Sequence, residues 1–194
     1  MINILGFAGS TRTASFHKRL VRVALGGAEQ AGAQVRFIDL RDLDIPLYDG
    51  DLEAGSGLPD GAREIREALK AADGVLIASP EYNGSLTAVL KNVIDWTSVS
   101  DPQAGEEPRM VAWKGKVAGI MSCSPGNLGG LRGLNHLHSI LSGIGVHVVP
   151  NQVAVPMIHQ TMQESGILDK PEVHARVEGL GTEVMQMAQR LREG

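Results

Sequence analysis

At 194 residues the chain has the length for one domain, expected to span 1–194, with a substantial core. Its 43% hydrophobic and 21% charged residues are those of a soluble globular protein, and it lacks the long apolar run that a membrane span requires. A formal charge of −4 without a basic cluster argues against a nucleic-acid surface and is too small for a strongly acidic electron carrier, while a lone cysteine, Cys123, excludes an internal disulfide framework.

The first element is an apolar run, Ile2 to Ala8, that reads as a β-strand rather than as a leader peptide; with the single cysteine this points to the cytoplasm. Strand-like runs recur at Val35 to Leu40, Gly74 to Ser79, Lys116 to Cys123 and Val146 to Val149. Each is mostly apolar, the pattern of strands covered on both faces of a parallel sheet. Helical periodicity lies between them, at about Ser15 to Ala31, Gly61 to Ala72, Ser85 to Ser98 and Leu128 to Ser142. A last helix runs from about Pro171 to Arg192, with Pro171 in its first turn. Two stretches, Asp42 to Asp60 and Ser100 to Gly115, read as irregular and could serve as interface or lid.

Alternating strands and helices predict a doubly wound α/β sandwich with a five-stranded parallel sheet of order 2-1-3-4-5. In such sheets ligands sit beyond the carboxyl ends of the strands, beside strand 1. The candidate loops are therefore Gly9 to Ser15, Pro80 to Ser85 and Ser122 to Gly130.

The first loop, in GFAGSTRTASFH, joins a buried strand to a helix start, where free N–H groups and the positive dipole end favour an anion. Gly9 permits a tight turn, the hydroxyls of Ser10, Thr11, Thr13 and Ser15 add donors, and Arg12 can fork onto a phosphate. This suits a monophosphate. A P-loop would need a lysine before Lys18, and a dinucleotide fingerprint a third glycine. Asp39 stands where an acid could grip a ribose, although a turn role at the strand end accounts for it equally. A serine-capped helix start with no ligand is the bland alternative.

The second loop, SPEYNGSLTAVLKNVIDW, carries P-E-Y-N-x-S followed by L-K-N-x-I-D-W. Together with the first loop it resembles the NADPH-dependent FMN reductase family of flavodoxin-like proteins, which includes quinone, azo-dye and chromate reductases. The resemblance implies bound FMN, NADPH or NADH as electron donor, a small-molecule acceptor, and a homodimer or homotetramer. It also implies that Ser10, Arg12, Ser15, Phe16 and His17 form the phosphate loop, that Pro80, Glu81, Tyr82, Asn83, Gly84 and Ser85 hold the flavin ring, and that Ser124 is a third flavin contact. Pro80 would end the strand, Tyr82 would stack on or shield the ring, and N–H groups near Asn83 would bond flavin N5 and O4. Glycines 126, 129 and 130 would leave room for the ring.

Two departures stand out. His17 replaces the usual asparagine, so that its protonation would make phosphate binding mildly pH-dependent, and Thr87-Ala88 replaces a frequent Pro-Gly. Of the remaining residues, Lys91, Asn92, Asp95 and Trp96 suit packing or an interface, the histidines show no metal-ligand spacing, and Cys123 suits a small buried hydrophobe. Arg132 could meet a cofactor phosphate or a partner subunit, or simply be solvated. The expected activity is an FMN-dependent NAD(P)H oxidoreductase whose flavin, rather than any catalytic side chain, does the chemistry. An FMN-binding electron carrier and a flavin-free phosphate-ester protein are the alternatives.

Overall fold

In the computed structural model, the described residues are 1–102, 105, 107–163, 165 and 168–193. The elements in chain order are β1 (Asn3–Ala8), α1 (Phe16–Gln30), β2 (Gln34–Ile38), α2 (Gly50–Ser56), α3 (Asp60–Ala71), β3 (Gly74–Ala78), α4 (Ala88–Ser98), β4 (Val117–Cys123), α5 (Leu131–Gly143), β5 (His147–Val148), β6 (Val153–Val155) and α6 (Pro171–Glu193). The strands pair in parallel in the order β2-β1-β3-β4-β5, and helices cover both faces. This is the flavodoxin-like sandwich expected from the alternation of elements.

Alternation along the buried strands sorts side chains between the two cores. Ile4, Ala8, Leu76, Ala78, Met121 and Cys123 pack toward α1 and α6. Leu5, Phe7, Val75, Ile77, Ala118 and Ile120 pack toward α3, α4 and α5. The edge strand β2 departs from the all-apolar expectation: Gln34 and Arg36 are exposed, because one of its faces is incompletely covered.

The sheet has a sixth strand beyond the five expected, because the expected run Val146 to Val149 gives only β5. Pro150, which has no N–H to give a ladder, follows β5, and after Asn151 and Gln152 the chain resumes pairing as β6. Val117 and Ala118 of β4 pair with β5, whereas Met121 to Cys123 pair with β6, so both occupy one side of β4. The first irregular stretch also contains an unforeseen helix. Asp49 Oδ1 accepts from the N–H groups of Asp51 at 2.8 Å and Leu52 at 3.4 Å, capping α2. In the second stretch, residues 103, 104 and 106 lie outside the described residues; Trp113 is fully buried, and Glu107 binds Arg66 at 2.7 Å and Lys70 at 2.6 Å.

Helices α1 and α6 meet backbone to backbone. A Cβ on Gly181 would strike the Ala24 carbonyl, and one on Gly27 the Glu178 carbonyl, while Thr182 Oγ1 donates to Gly27 O at 3.1 Å. Alanine would gain about 1 kcal/mol in helix propensity but would force the helices apart, at about 1–3 kcal/mol or more. Gly181→Ala should therefore lower the unfolding free energy in urea; an unchanged or raised value would show that the two helices do not meet so closely.

Candidate functional site

The register of the ladder brings three loops to one edge. Ala8 is level with Ala78, and Ala78 with Met121. Beyond that line Gly9 N donates to Ala78 O at 2.8 Å and Ser79 N to Met121 O at 3.0 Å, so the chain leaves β1, β3 and β4 side by side. Gly9 is confined at this point: a methyl there would lie 2.9 Å from both Leu90 Cβ and Thr87 Oγ1. Thr87 Oγ1 donates to Gly9 O at 2.7 Å and accepts from Leu90 N at 3.3 Å, so one hydroxyl both caps α4 and ties it to the first loop. This is what the Thr87-Ala88 departure does, and it corrects the expected start of α4 from Ser85 to Ala88.

The first loop presents donors without acceptors. Among the described residues, the backbone N–H groups of Thr11, Thr13, Ala14 and Ser15 bond to nothing, and neither does the exposed Arg12 guanidinium. Ser10 is buried, and its Oγ accepts from Arg12 N at 3.4 Å. Ser15 is the N-cap residue of α1, yet its side chain makes no capping bond, which leaves the hydroxyl available. Phe16 packs against the α1/α6 core with Arg19 over its ring at 5.7 Å.

His17 lies one residue further into α1 and is buried. Cys123 N donates to His17 Nε2 at 3.3 Å, a bond that needs a lone pair on that nitrogen and so places the ring proton on Nδ1. Burial pushes the His17 pKa down to about 4. The expected pH-dependent phosphate contact is therefore corrected: the ring is neutral across the ordinary range. Cys123, buried beside it, has its thiol pushed up by burial, as a packing residue would.

The second loop contains a tight reversal. Tyr82 N donates to Ser85 O at 2.9 Å and Ser85 N to Tyr82 O at 3.1 Å, with φ of 53° at Asn83 and 80° at Gly84. Positive φ at both central residues is the mark of an Asn-Gly hairpin turn, and the Asn83-Gly84 pair is its sequence signal. Tyr82 is pushed outward and is 56% exposed. Pro80 follows β3, and its carbonyl accepts from Ser79 Oγ at 3.0 Å.

Glu81 anchors the turn to α5. Its carboxylate accepts from Arg132 Nε at 2.7 Å and from the N–H groups of Arg132 at 3.0 Å and Gly133 at 3.3 Å, at the positive end of that helix. Burial alone would raise the Glu81 pKa, but the bonds from Arg132 and Gly133 outweigh it and hold the carboxyl below its usual range. Arg132 is thus tied to the second loop. Ser85 Oγ lies 3.0 Å from His136 Nδ1, beside a cavity of about 580 Å³ between α4 and α5.

In the third loop Ser124 Oγ accepts from Gly126 N at 3.2 Å, and the space beside Gly126 is open except for that hydroxyl. Gly129 and Gly130 play another part than the one expected of them. With φ of 60° and 87° they pack against Val155 and Ser122, where any Cβ would collide, so they close the fold beneath the loop.

The other candidates are accounted for by packing. Trp96 Nε1 and Asn92 Nδ2 both donate to Pro46 O, at 2.9 and 2.8 Å, and Lys91 pairs with Asp95 at 2.7 Å. Asp39 is a turn residue: it accepts from Arg41 N at 3.0 Å and Lys18 Nζ at 2.6 Å. Arg41, which is not among the sequence candidates, reaches back to the first loop. An arginine three residues beyond a strand end carries no local signal of that contact.

Comparison with known proteins gives this edge its context. A family model described as NADPH-dependent FMN reductase matches residues 2–160. An NAD(P)H-dependent FMN reductase of Pseudomonas aeruginosa is 37% identical over 146 residues, 75% of this chain and 72% of that protein. An NADPH:quinone oxidoreductase of Arabidopsis thaliana is 36% identical over 151 residues, 77% of this chain and 71% of that protein. In three dimensions the chain superposes on the flavoenzyme NAD(P)H:(acceptor) oxidoreductase FerB of Paracoccus denitrificans with a TM-score of 0.81, 98% coverage of both chains and 24% identity, a likeness of fold. With a family model matched over most of its length and relatives above the 30% level, the chain with these three loops belongs to the NADPH-dependent FMN reductase family.

Proposed function

We propose that the whole chain is one FMN-binding domain that takes electrons from NAD(P)H and passes them to a small acceptor. The observation that carries this reading is the set of unpartnered N–H groups of Thr11, Thr13, Ala14 and Ser15 beside the unpaired Arg12 guanidinium, at the same sheet edge as the 80–85 turn. The donor set fits the phosphate end of FMN: backbone N–H groups, hydroxyls and one free guanidinium converge, with no carboxylate paired to Arg12 among the described residues. Bound FMN supplies the hydride chemistry, accepting from the nicotinamide and giving to the second substrate.

The protein's work is then to bind, orient and shield. Ser10, Ser15 and Arg12 hold the phosphate, and His17 backs the loop as a neutral Nδ1–H tautomer. Pro80, Glu81, Asn83, Gly84 and Ser85 present a rigid backbone edge to the ring, made rigid by the Tyr82–Ser85 pair and the Glu81 clamp on α5. Tyr82 offers its face to the ring or the acceptor, and Ser124 closes the third side. The acceptor class proposed is small quinones, azo compounds, metal oxyanions or free flavin. Tyr82, Leu128 and Leu131 stand exposed near these loops, which supports a homodimer or homotetramer in which a second copy covers them. The setting proposed is cytoplasmic; no helix of the described residues is long and apolar enough to cross a membrane.

Purified protein loaded with FMN should lose its flavin absorbance when NADPH is added anaerobically and recover it on addition of a quinone; retention of colour would contradict the oxidoreductase reading. Arg12→Ala should weaken FMN by about 1–3 kcal/mol through loss of a charge-assisted contact, as read by quenching of flavin fluorescence. Unchanged affinity would remove Arg12 from the site.

His17 has its effect on folding. Its folded pKa of about 4 lies below the ordinary 6.5, so the unfolded chain takes up this proton first as the pH falls. Stability contributed by the neutral ring is complete above pH 6.5 and is lost as the pH falls toward 4, approaching about 3 kcal/mol. Apo His17→Asn should show a shallower decline of unfolding free energy between pH 6.5 and 4; parallel curves would place the acid sensitivity elsewhere.

A further inference from the structure

We propose that Arg41 is a positioning residue for the flavin phosphate, acting through the hydroxyl of Thr13. The inference rests on the phosphate-loop reading given above and adds to it a residue from the turn after β2. Arg41 leaves the end of β2, yet its Nη1 donates to Thr11 O at 3.1 Å and to Thr13 Oγ1 at 2.7 Å. One cationic nitrogen therefore spans the middle of the anion loop.

The consequence for Thr13 is geometric. A hydroxyl oxygen that accepts from a guanidinium has its own proton directed elsewhere, and the N–H groups of Thr11, Thr13, Ala14 and Ser15 point to an acceptor not supplied by the protein. Arg41 thus turns Thr13 into a fixed donor. Holding Thr11 O also fixes the peptide that leads into Arg12, whose N–H is turned to Ser10 Oγ.

Charge strengthens the inference. Two carboxylates flank Arg41 in sequence, and neither pairs with its guanidinium: Asp42, the adjacent residue, makes no ion pair with it, while Asp39 gives Oδ2 to Lys18 Nζ at 2.6 Å and Oδ1 to the Arg41 backbone N–H at 3.0 Å. Lys18 is buried on the first turn of α1, so this one carboxylate pins both the helix start and the exit from β2. Its charge is spent on Lys18. Among the described residues the guanidinium of Arg41 has no ion pair, and neither does that of Arg12. Two guanidinium groups without ion pairs, one on the loop and one bonded to it from beyond β2, beside free N–H groups are suited to a doubly charged phosphate.

The test compares FMN with riboflavin, which lacks the phosphate, on full-length protein. Arg41→Ala should raise the FMN dissociation constant about tenfold while changing that of riboflavin by less than about twofold. Thr13→Val should act in the same direction, and the double variant should bind FMN within about twofold of Arg41→Ala alone, because both remove one coupled contact. Arg41→Lys should recover part of the loss. Equal weakening of FMN and riboflavin, or effects of Arg41→Ala and Thr13→Val that multiply, would overturn the role assigned to Arg41. Arg12→Ala separates the two levels. If it lowers the FMN-to-riboflavin ratio and Arg41→Ala does not, only Arg41 is excluded; if it leaves the ratio unchanged, the phosphate-loop reading itself fails.

Discussion

The backbone of Gly9 is pressed against α4, and the rest of the site is arranged around that contact. Because no side chain fits there, the carbonyl of Gly9 can accept from Thr87 Oγ1, and the first and second loops are joined at their roots. Past that point the chain turns away from the sheet before α1 begins, so the amides of Thr11, Thr13, Ala14 and Ser15 find no partner among the described residues. Thr11 to Ala14 are exposed, so a ligand can reach these donors, and free N–H groups gathered at the start of a helix suit an anion.

The same economy runs through the neighbouring loops. Glu81 accepts from the amides of Arg132 and Gly133 near the start of α5 and from the Arg132 side chain at once, which ties the turn to that helix. Asp39 joins α1 to the exit of β2. His17 gives up its charge to sit beneath the loop and take the N–H of Cys123. None of these groups needs to react. Dipoles fixed before a ligand arrives need no reorganisation when charge develops, and that is how a protein tunes a cofactor that carries the reaction itself.

Much of this was legible in the sequence. The buried strands announce themselves as apolar runs, and the order of strands and helices determines which loops share an edge, so the three candidate loops do meet. Local chemistry was harder to read where it depends on distant partners. Thr87 looked like a departure from a pattern until its hydroxyl was found on Gly9, 78 residues away in sequence. Gly129 and Gly130 looked like space for a ring but are forced by Val155 and Ser122. The run Val146 to Val149 ends where Pro150 stops the ladder, and the three-residue strand Val153–Val155 beyond it is too short to stand out as an apolar run. Arg41 could not be found at all, since nothing in the residues around it points back to Thr13.

The central claim is that the β1–α1 loop holds a phosphate dianion, and phosphorus NMR of the FMN-loaded protein reads that directly. A phosphate surrounded by unpaired amides and two guanidinium groups should stay dianionic well below its ordinary second pKa of about 6, so its resonance should not move between about pH 5.5 and 8. A resonance that titrates near pH 6, as for a solvated phosphate monoester, would contradict the account.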